Sequence, residues 1–161
     1  MMKPISVWKQ ELSGGAHAAR LAALYCCAPE QTPAQATRYE AVLDGLEATF
    51  GPHAEAGLYS APGRTEIGGN HTDHQHGRVL AGSVNIDMIA AAGPNTLGQL
   101  RVQSEGYDLC VIDLNDLAAR KEEENTSAAI LRGECEAFRQ RGAKLSGLDV
   151  YISSNVPKGS G

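Results

Sequence analysis

Residues 61–73, Ala-Pro-Gly-Arg-Thr-Glu-Ile-Gly-Gly-Asn-His-Thr-Asp, constrain this chain more than any other stretch. They follow a short apolar run at Leu58-Tyr59, read as a strand over Leu58–Ala61. Pro62-Gly63 then reads as a turn, after which Arg64, Glu66, His71 and Asp73 are expected on a Gly-rich loop. Glycine lets backbone approach a small polar ligand without a side chain intervening. The second constraint is the segment Val156-Pro157-Lys158-Gly159-Ser160-Gly161, behind an apolar run at Leu148–Ile152. Closely spaced glycines after a strand can turn backbone N–H groups toward phosphate oxygens.

The pattern around these segments predicts α+β architecture. Val7–Leu24 reads as helix interrupted at Gly14-Gly15, giving two short helices or one with a break. Thr32 is expected to cap a longer helix, with Pro33 in its first turn and Gln35 completing a capping box. Tyr39, Val42, Leu43, Leu46 and Phe50 share one face of it, and Gly51-Pro52 end it. Val79–Ala92 reads as one long or bent strand with Val84, Ile86, Met88 and Ala90 on one face. Leu100–Gln103 and Leu109–Ile112 form a hairpin about Glu105-Gly106. A short helix is expected near 116–120, and Glu122-Glu123-Glu124 as solvated charge. A further helix should start at Asn125 or Thr126 and end by Arg139–Gly142. Two parts are expected: a helical segment, 1–55, and a sheet-bearing domain, 56–161.

Bulk properties exclude several classes. The chain has 161 residues, enough for one domain with a real core. Lys+Arg number 14 against 19 Asp+Glu, a net charge of −5, which gives no electrostatic support for nucleic acid as a partner. No apolar run approaches the roughly 20 residues of a membrane span, so no membrane partner is expected. Residues 1–10 lack the apolar core of a signal peptide, and the four cysteines include no CxxC pair. Free thiols in a reducing, cytoplasmic setting follow, not a disulfide framework.

Gly63-Arg64, Gly69-Asn70-His71-Thr72-Asp73, Gly77 and Val79-Leu80 resemble the N-terminal signature of galactokinases. Pro157-Lys158-Gly159-Ser160-Gly161 resembles the opening of the second signature of the wider superfamily containing galactokinase, homoserine, mevalonate and phosphomevalonate kinases. The resemblance covers residues 56–161 well and the helical N-terminus loosely. It implies a two-layer N-terminal kinase domain related to a ribosomal-protein S5 domain 2 fold, which pattern alone does not specify. It also implies transfer of the ATP γ-phosphoryl group to the anomeric hydroxyl of galactose.

The resemblance assigns roles residue by residue. Arg64 corresponds to an arginine beside the catalytic base and the reacting hydroxyl, where positive charge assists phosphoryl transfer. The ordinary alternative is a surface arginine after a turn. Asn70, His71, Thr72 and Asp73 stand where the family binds its sugar; a ring of hydroxyls needs a few aimed donors and acceptors. Pro157, Lys158, Gly159, Ser160 and Gly161 stand where it binds ATP. Magnesium ligands, the catalytic Asp and the third signature are expected beyond Gly161, so the chain reads as the sugar-binding part of a kinase, inactive without the remainder of its own chain. Four positions depart from the family: Asn70 replaces Glu, Glu66 replaces Asn, His74 replaces Tyr and His76 replaces Gly. Asn70 and the run Asp73-His74-Gln75 leave galacturonate or an N-acetylhexosamine open as the sugar. The spacing His71-x-Asp73-His74-x-His76 could also serve a metallohydrolase, although it leaves Pro62-Gly63-Arg64 unexplained. A non-catalytic sugar sensor is a third possibility.

Overall fold

The structure is a computed structural model describing residues 1–69 and 72–157, apart from the side chain of Asp73. Helices α1 (Ile5–Ser13), α2 (Ala18–Tyr25) and α3 (Thr32–Phe50) come first. Strands β1 (Gly57–Gly68), β2 (Leu80–Pro94), β3 (Gln99–Ser104) and β4 (Cys110–Asp113) follow, then α4 (Ser127–Gln140) and β5 (Leu148–Ser154). Among the described residues the strands form one sheet in the order β1-β2-β5-β3-β4. β5 enters between β2 and β3, antiparallel to β2 and parallel to β3. The expected α+β architecture is therefore the observed one.

The helical layer follows from the apolar spacing. The break at Gly14-Gly15 separates α1 from α2, and Gly15 has a positive φ of 73°. Tyr39, Val42, Leu43 and Leu46 of α3 are buried against Ile89 and Ala91 of β2, with Ile5, Trp8, Leu12 and Leu21 from the first two helices. Gly45, costly within a helix, is explained by Tyr151 of β5: a Cβ at Gly45 would collide with its ring. The capping box at Thr32 does not form. Thr32 is itself helical and its hydroxyl donates to the Pro29 carbonyl at 2.8 Å, because a 3-10 turn over Pro29–Gln31 feeds straight into α3. Gln35 instead accepts from Arg38 Nη1 at 2.8 Å.

The sheet corrects other expectations. β1 does not stop at Ala61; it continues through Pro62 and Gly63 to Gly68, paired with β2 across register breaks at Pro62/Arg64 and Glu66/Gly68. Bulges let a strand bend without ending, so Arg64 and Glu66 lie on a ribbon and not on a loop. Val84, Ile86, Met88 and Ala90 do share a face, but Asp87, Ile89 and Ala91 occupy the face turned to α1–α3. The β3–β4 hairpin forms as read from sequence, with Val102 paired to Cys110.

On the opposite face, α4 packs over Ile112, Leu100 and Cys110 through Cys135 and Leu131. Thr126 caps α4, accepting from the Ala129 amide at 3.4 Å. No helix forms over 116–120. That segment lies under Arg132, which donates to the Asp116 carbonyl at 2.6 Å and grips Glu123 through two bonds of 2.7 and 2.6 Å. Glu123 is thus a structural partner and not solvated charge, and Arg132 holds its carboxyl below the usual range. Four free cysteines are present, none in a disulfide. No helix among the described residues is long and apolar enough to cross a membrane.

A buried carboxylate ties α3 to the β2–β5 end of the sheet. Asp149 is 1% exposed and accepts from Arg101 at 2.7 and 2.6 Å, Asn95 Nδ2 at 2.6 Å and His53 Nε2 at 3.0 Å. Arg101 also stacks over Phe50, 4.8 Å from the ring centroid. Burial alone would push the Asp149 carboxyl upward, but its donors outweigh burial and lower it from the ordinary 3.8. A lowered folded-state value means stability that is present above the unfolded value and lost as pH falls through the folded one. Asp149→Asn should therefore cost about 3–5 kcal/mol at neutral pH, since it leaves Arg101 unpaired. Urea unfolding followed at neutral pH and again in acid below the unfolded carboxylate value should show the gap between variant and wild type narrowing in acid. An unchanged gap would remove Asp149 from the acid response.

Candidate functional site

The distal half of the β1–β2 pair carries the candidate site residues Arg64 and Glu66. Past the Pro62–Asp87 pair, the two strands leave the helical layer and most of their side chains become exposed. Ile67 is 68% and Leu80 62% exposed at the far end. Arg64 sits opposite Ser83, and Glu66 opposite Ala81. Both are exposed on the ribbon.

The connection at the ribbon tip is compact. Gly69 adopts φ 116°, and a Cβ there would strike the Arg78 carbonyl and Val79. The Thr72 hydroxyl donates to the Gly69 carbonyl at 2.7 Å. The Thr72 carbonyl accepts from the amides of Gln75 and Gly77, at 3.0 and 2.8 Å, around a 3-10 turn over Asp73–Gln75. A Cβ on Gly77 would overlap Thr72, so glycine is required there. His76 follows at φ 61°, an uncommon conformation for a non-glycine residue. Thr72 thus organises the turn through its own backbone and hydroxyl. Asn70 and His71 lie outside the described residues, as does the Asp73 side chain; only the Asp73 backbone is described, in the turn.

The two motif segments meet at Gly63. A Cβ on Gly63 would come within 3.3 Å of the Val156 side chain and of the Ile86 carbonyl, and 3.2 Å from Val84. The absence of a side chain at Gly63 therefore lets the chain leaving β5 pass beside the ribbon, one residue from Arg64. The Asn155 amide donates to the Asp87 carbonyl at 3.0 Å and fixes that crossing. Pro157 continues from it, exposed; Lys158, Gly159, Ser160 and Gly161 lie outside the described residues.

Beside Pro157, on the α4 face of the sheet, lies a cavity of about 510 Å³. Met88, Val102 and Ile152 give it apolar wall, while Ser104, Asp108 and Ser127 supply polar atoms. Among the described residues no group of three or more His, Cys, Asp or Glu side chains is placed to hold a metal ion. His74 and His76 are both exposed.

Sequence reasoning missed Asp87. It is 2% exposed and accepts from Tyr25 Oη at 2.6 Å, Ser60 Oγ at 2.6 Å and Arg38 Nη2 at 2.9 Å. Tyr25 gives its proton to Asp87, so Tyr39 donates to Tyr25 across 2.9 Å. Burial, together with Asp87 and Tyr39, raises the Tyr25 phenol well above its ordinary value and keeps it a donor. The available signal was one carboxylate inside an otherwise apolar strand pattern, at an in-facing position between Asn85 and Ile89.

Residues 46–94 match the galactokinase galactose-binding signature. The galactokinase of Streptomyces coelicolor is 35% identical over 107 residues, which is 65% of this chain and 27% of that protein. The galactokinase of Ligilactobacillus salivarius is 32% identical over 124 residues, 74% of this chain and 31% of that protein. Among solved structures, Lactococcus lactis galactokinase complexed with galactose superposes with a TM-score of 0.62 at 21% identity, over 71% of this chain and 30% of that one. At that identity the likeness establishes the fold. The chain spans 27% and 31% of the lengths of these two curated relatives. Signature, relatives and fold agree, and together they show that this chain corresponds to the N-terminal part of galactokinases.

Proposed function

We propose that this chain is the sugar-binding part of an ATP-dependent sugar 1-kinase whose substrate is galactose. The observation that carries the reading is the close approach of Val156 to Gly63, which sets the Arg64 ribbon beside the segment leading to Pro157. Phosphoryl transfer needs both substrates held in reacting geometry, where a misplacement of about 1 Å is costly, and two segments crossing at one point favour that. In this reading residues 56–161 are the sheet-bearing part of the kinase domain and residues 1–55 its helical segment. The remainder of the kinase supplies the base.

The roles follow from chemistry. Asn70, His71, Thr72 and Asp73 hold the sugar at the ribbon tip, Asp73 accepting from its hydroxyls. Arg64 faces the charge that builds on the transferred phosphoryl group. Pro157, Lys158, Gly159, Ser160 and Gly161 bind the ATP phosphates, and the cavity beside Pro157 has room and apolar wall for the base of the nucleotide. A magnesium ion accompanying ATP would neutralise phosphate charge. No group of side chains among the described residues is arranged to hold one, and no step above depends on it. A cytoplasmic location accords with free cysteines and with this substrate pair.

Arg64→Ala, made in the chain together with the remainder of the kinase, should lower kcat by about 100-fold and leave the sugar KM nearly unchanged, because the interaction is realised mainly in the transition state. Steady-state kinetics with galactose and ATP checks this; an unchanged kcat with a raised KM would make Arg64 a plain binding residue.

Position 70 distinguishes the sugars. With galactose as substrate, Asn70→Glu restores the acceptor usual in galactokinases and should hold or raise kcat/KM. With a uronate, the same change sets two negative charges together and should abolish turnover. Assaying wild type and Asn70→Glu on galactose, galacturonate and an N-acetylhexosamine identifies the substrate. Failure of both forms on every sugar, with zinc co-purifying, would replace the kinase reading by a metallohydrolase.

A further inference from the structure

We propose that Asp87 is a positioning residue for the transfer step, acting through the strands that carry Arg64 and Pro157. The inference rests on the kinase reading above. Asp87 lies where three parts of the molecule join. Its side chain receives α2 through Tyr25, α3 through Arg38 and β1 through Ser60. Its main chain pairs with Pro62 on one side and takes the Asn155 amide on the other. Pro62 is the last paired residue before the break that precedes Arg64, and Asn155 is two residues before Pro157. Asn85 adds a further tie, donating to the Tyr25 carbonyl at 3.3 Å.

This arrangement matters because Asp87 lies at the base of the ribbon that carries Arg64. Its side chains are mostly exposed, and it is joined to the body of the sheet at its base. A change at Asp87 would shift Arg64 relative to Pro157, and transfer is sensitive to misplacements of about 1 Å. The ribbon tip is different. The turn around Thr72 is held by its own hydrogen bonds to Gly69, Gln75 and Gly77. Loosening Asp87 should therefore lower turnover per folded molecule while sugar affinity is kept, and should speed amide exchange in the ribbon, which a mere loss of folded protein would not confine there.

The test compares Asp87→Asn with Asp149→Asn, a matched buried carboxylate remote from the ribbon, in the chain joined to the remainder of the kinase. Both are assayed well below their unfolding midpoints. Asp87→Asn should lower kcat by about tenfold or more, leave the sugar KM near that of wild type, and speed amide hydrogen exchange over residues 63–68 and 80–86. Asp149→Asn should change neither kcat nor ribbon exchange. If Asp87→Asn does not fold, Tyr25→Phe removes one donor while keeping the Arg38 pair, and should move the same readouts in the same direction by less. Unchanged ribbon exchange in the Asp87 variant, or equal kcat losses in both variants, overturns the proposal. Absence of sugar phosphorylation by the wild type, with ribbon exchange still faster in Asp87→Asn, would sink the kinase reading and leave the coupling of Asp87 to the ribbon standing.

Discussion

A carboxylate buried at 2% exposure inside an apolar strand is the constraint on which this structure turns. An unpaired charge at that depth would be prohibitive, so Asp87 must be met by donors wherever it goes. Those donors come from three different elements, and meeting them aligns the elements. The cost of desolvating Asp87 is offset only when α2, α3 and β1 all sit in their native places. A polar contact of this kind specifies geometry more sharply than apolar packing, which tolerates sliding.

The same device recurs at the other end of the β2–β5 pair and beneath α4. Asp149 gathers Arg101, Asn95 and His53, and Glu123 gathers Arg132. Each ion pair ties down a connecting segment: the chain around His53, the β2–β3 turn, and the irregular stretch before α4. Apolar packing supplies the two cores; the ion pairs decide how the connections between them run. The candidate site lies outside both cores, on the ribbon and at the sheet end, where backbone geometry and glycine at Gly63, Gly69 and Gly77 do the placing.

Much was legible because the periodicities are clean. The α1/α2 break, the apolar face of α3, the β3–β4 hairpin, the cap of α4 and strand β5 all follow from local spacing and punctuation. The motif residues could be named because glycine, proline and charged residues recur there in a distinctive order. The errors share one cause. Pro62-Gly63 has the local chemistry of a turn, yet the chain stays extended, since β2 runs alongside and bulges absorb the irregularity. Thr32 has the chemistry of a cap but is helical, since the preceding turn over Pro29–Gln31 has already begun the coil. Glu123 looks like solvated charge until Arg132, nine residues on, is brought over it.

By itself the sequence determined most of the elements, their order and the residues proposed for the site. These depend on interactions within a few residues of each other, where side-chain chemistry and backbone preference act directly. Tertiary structure alone decided that β5 inserts between β2 and β3, that Val156 passes Gly63, and that Asp87 lies under Tyr25, Arg38 and Ser60. Those pairings join residues separated by between 27 and 93 positions, as with Ser60–Asp87 and Gly63–Val156. No local preference encodes them; they arise because burying the apolar faces of helices and sheet together leaves one arrangement in which the charges carried inward are also met.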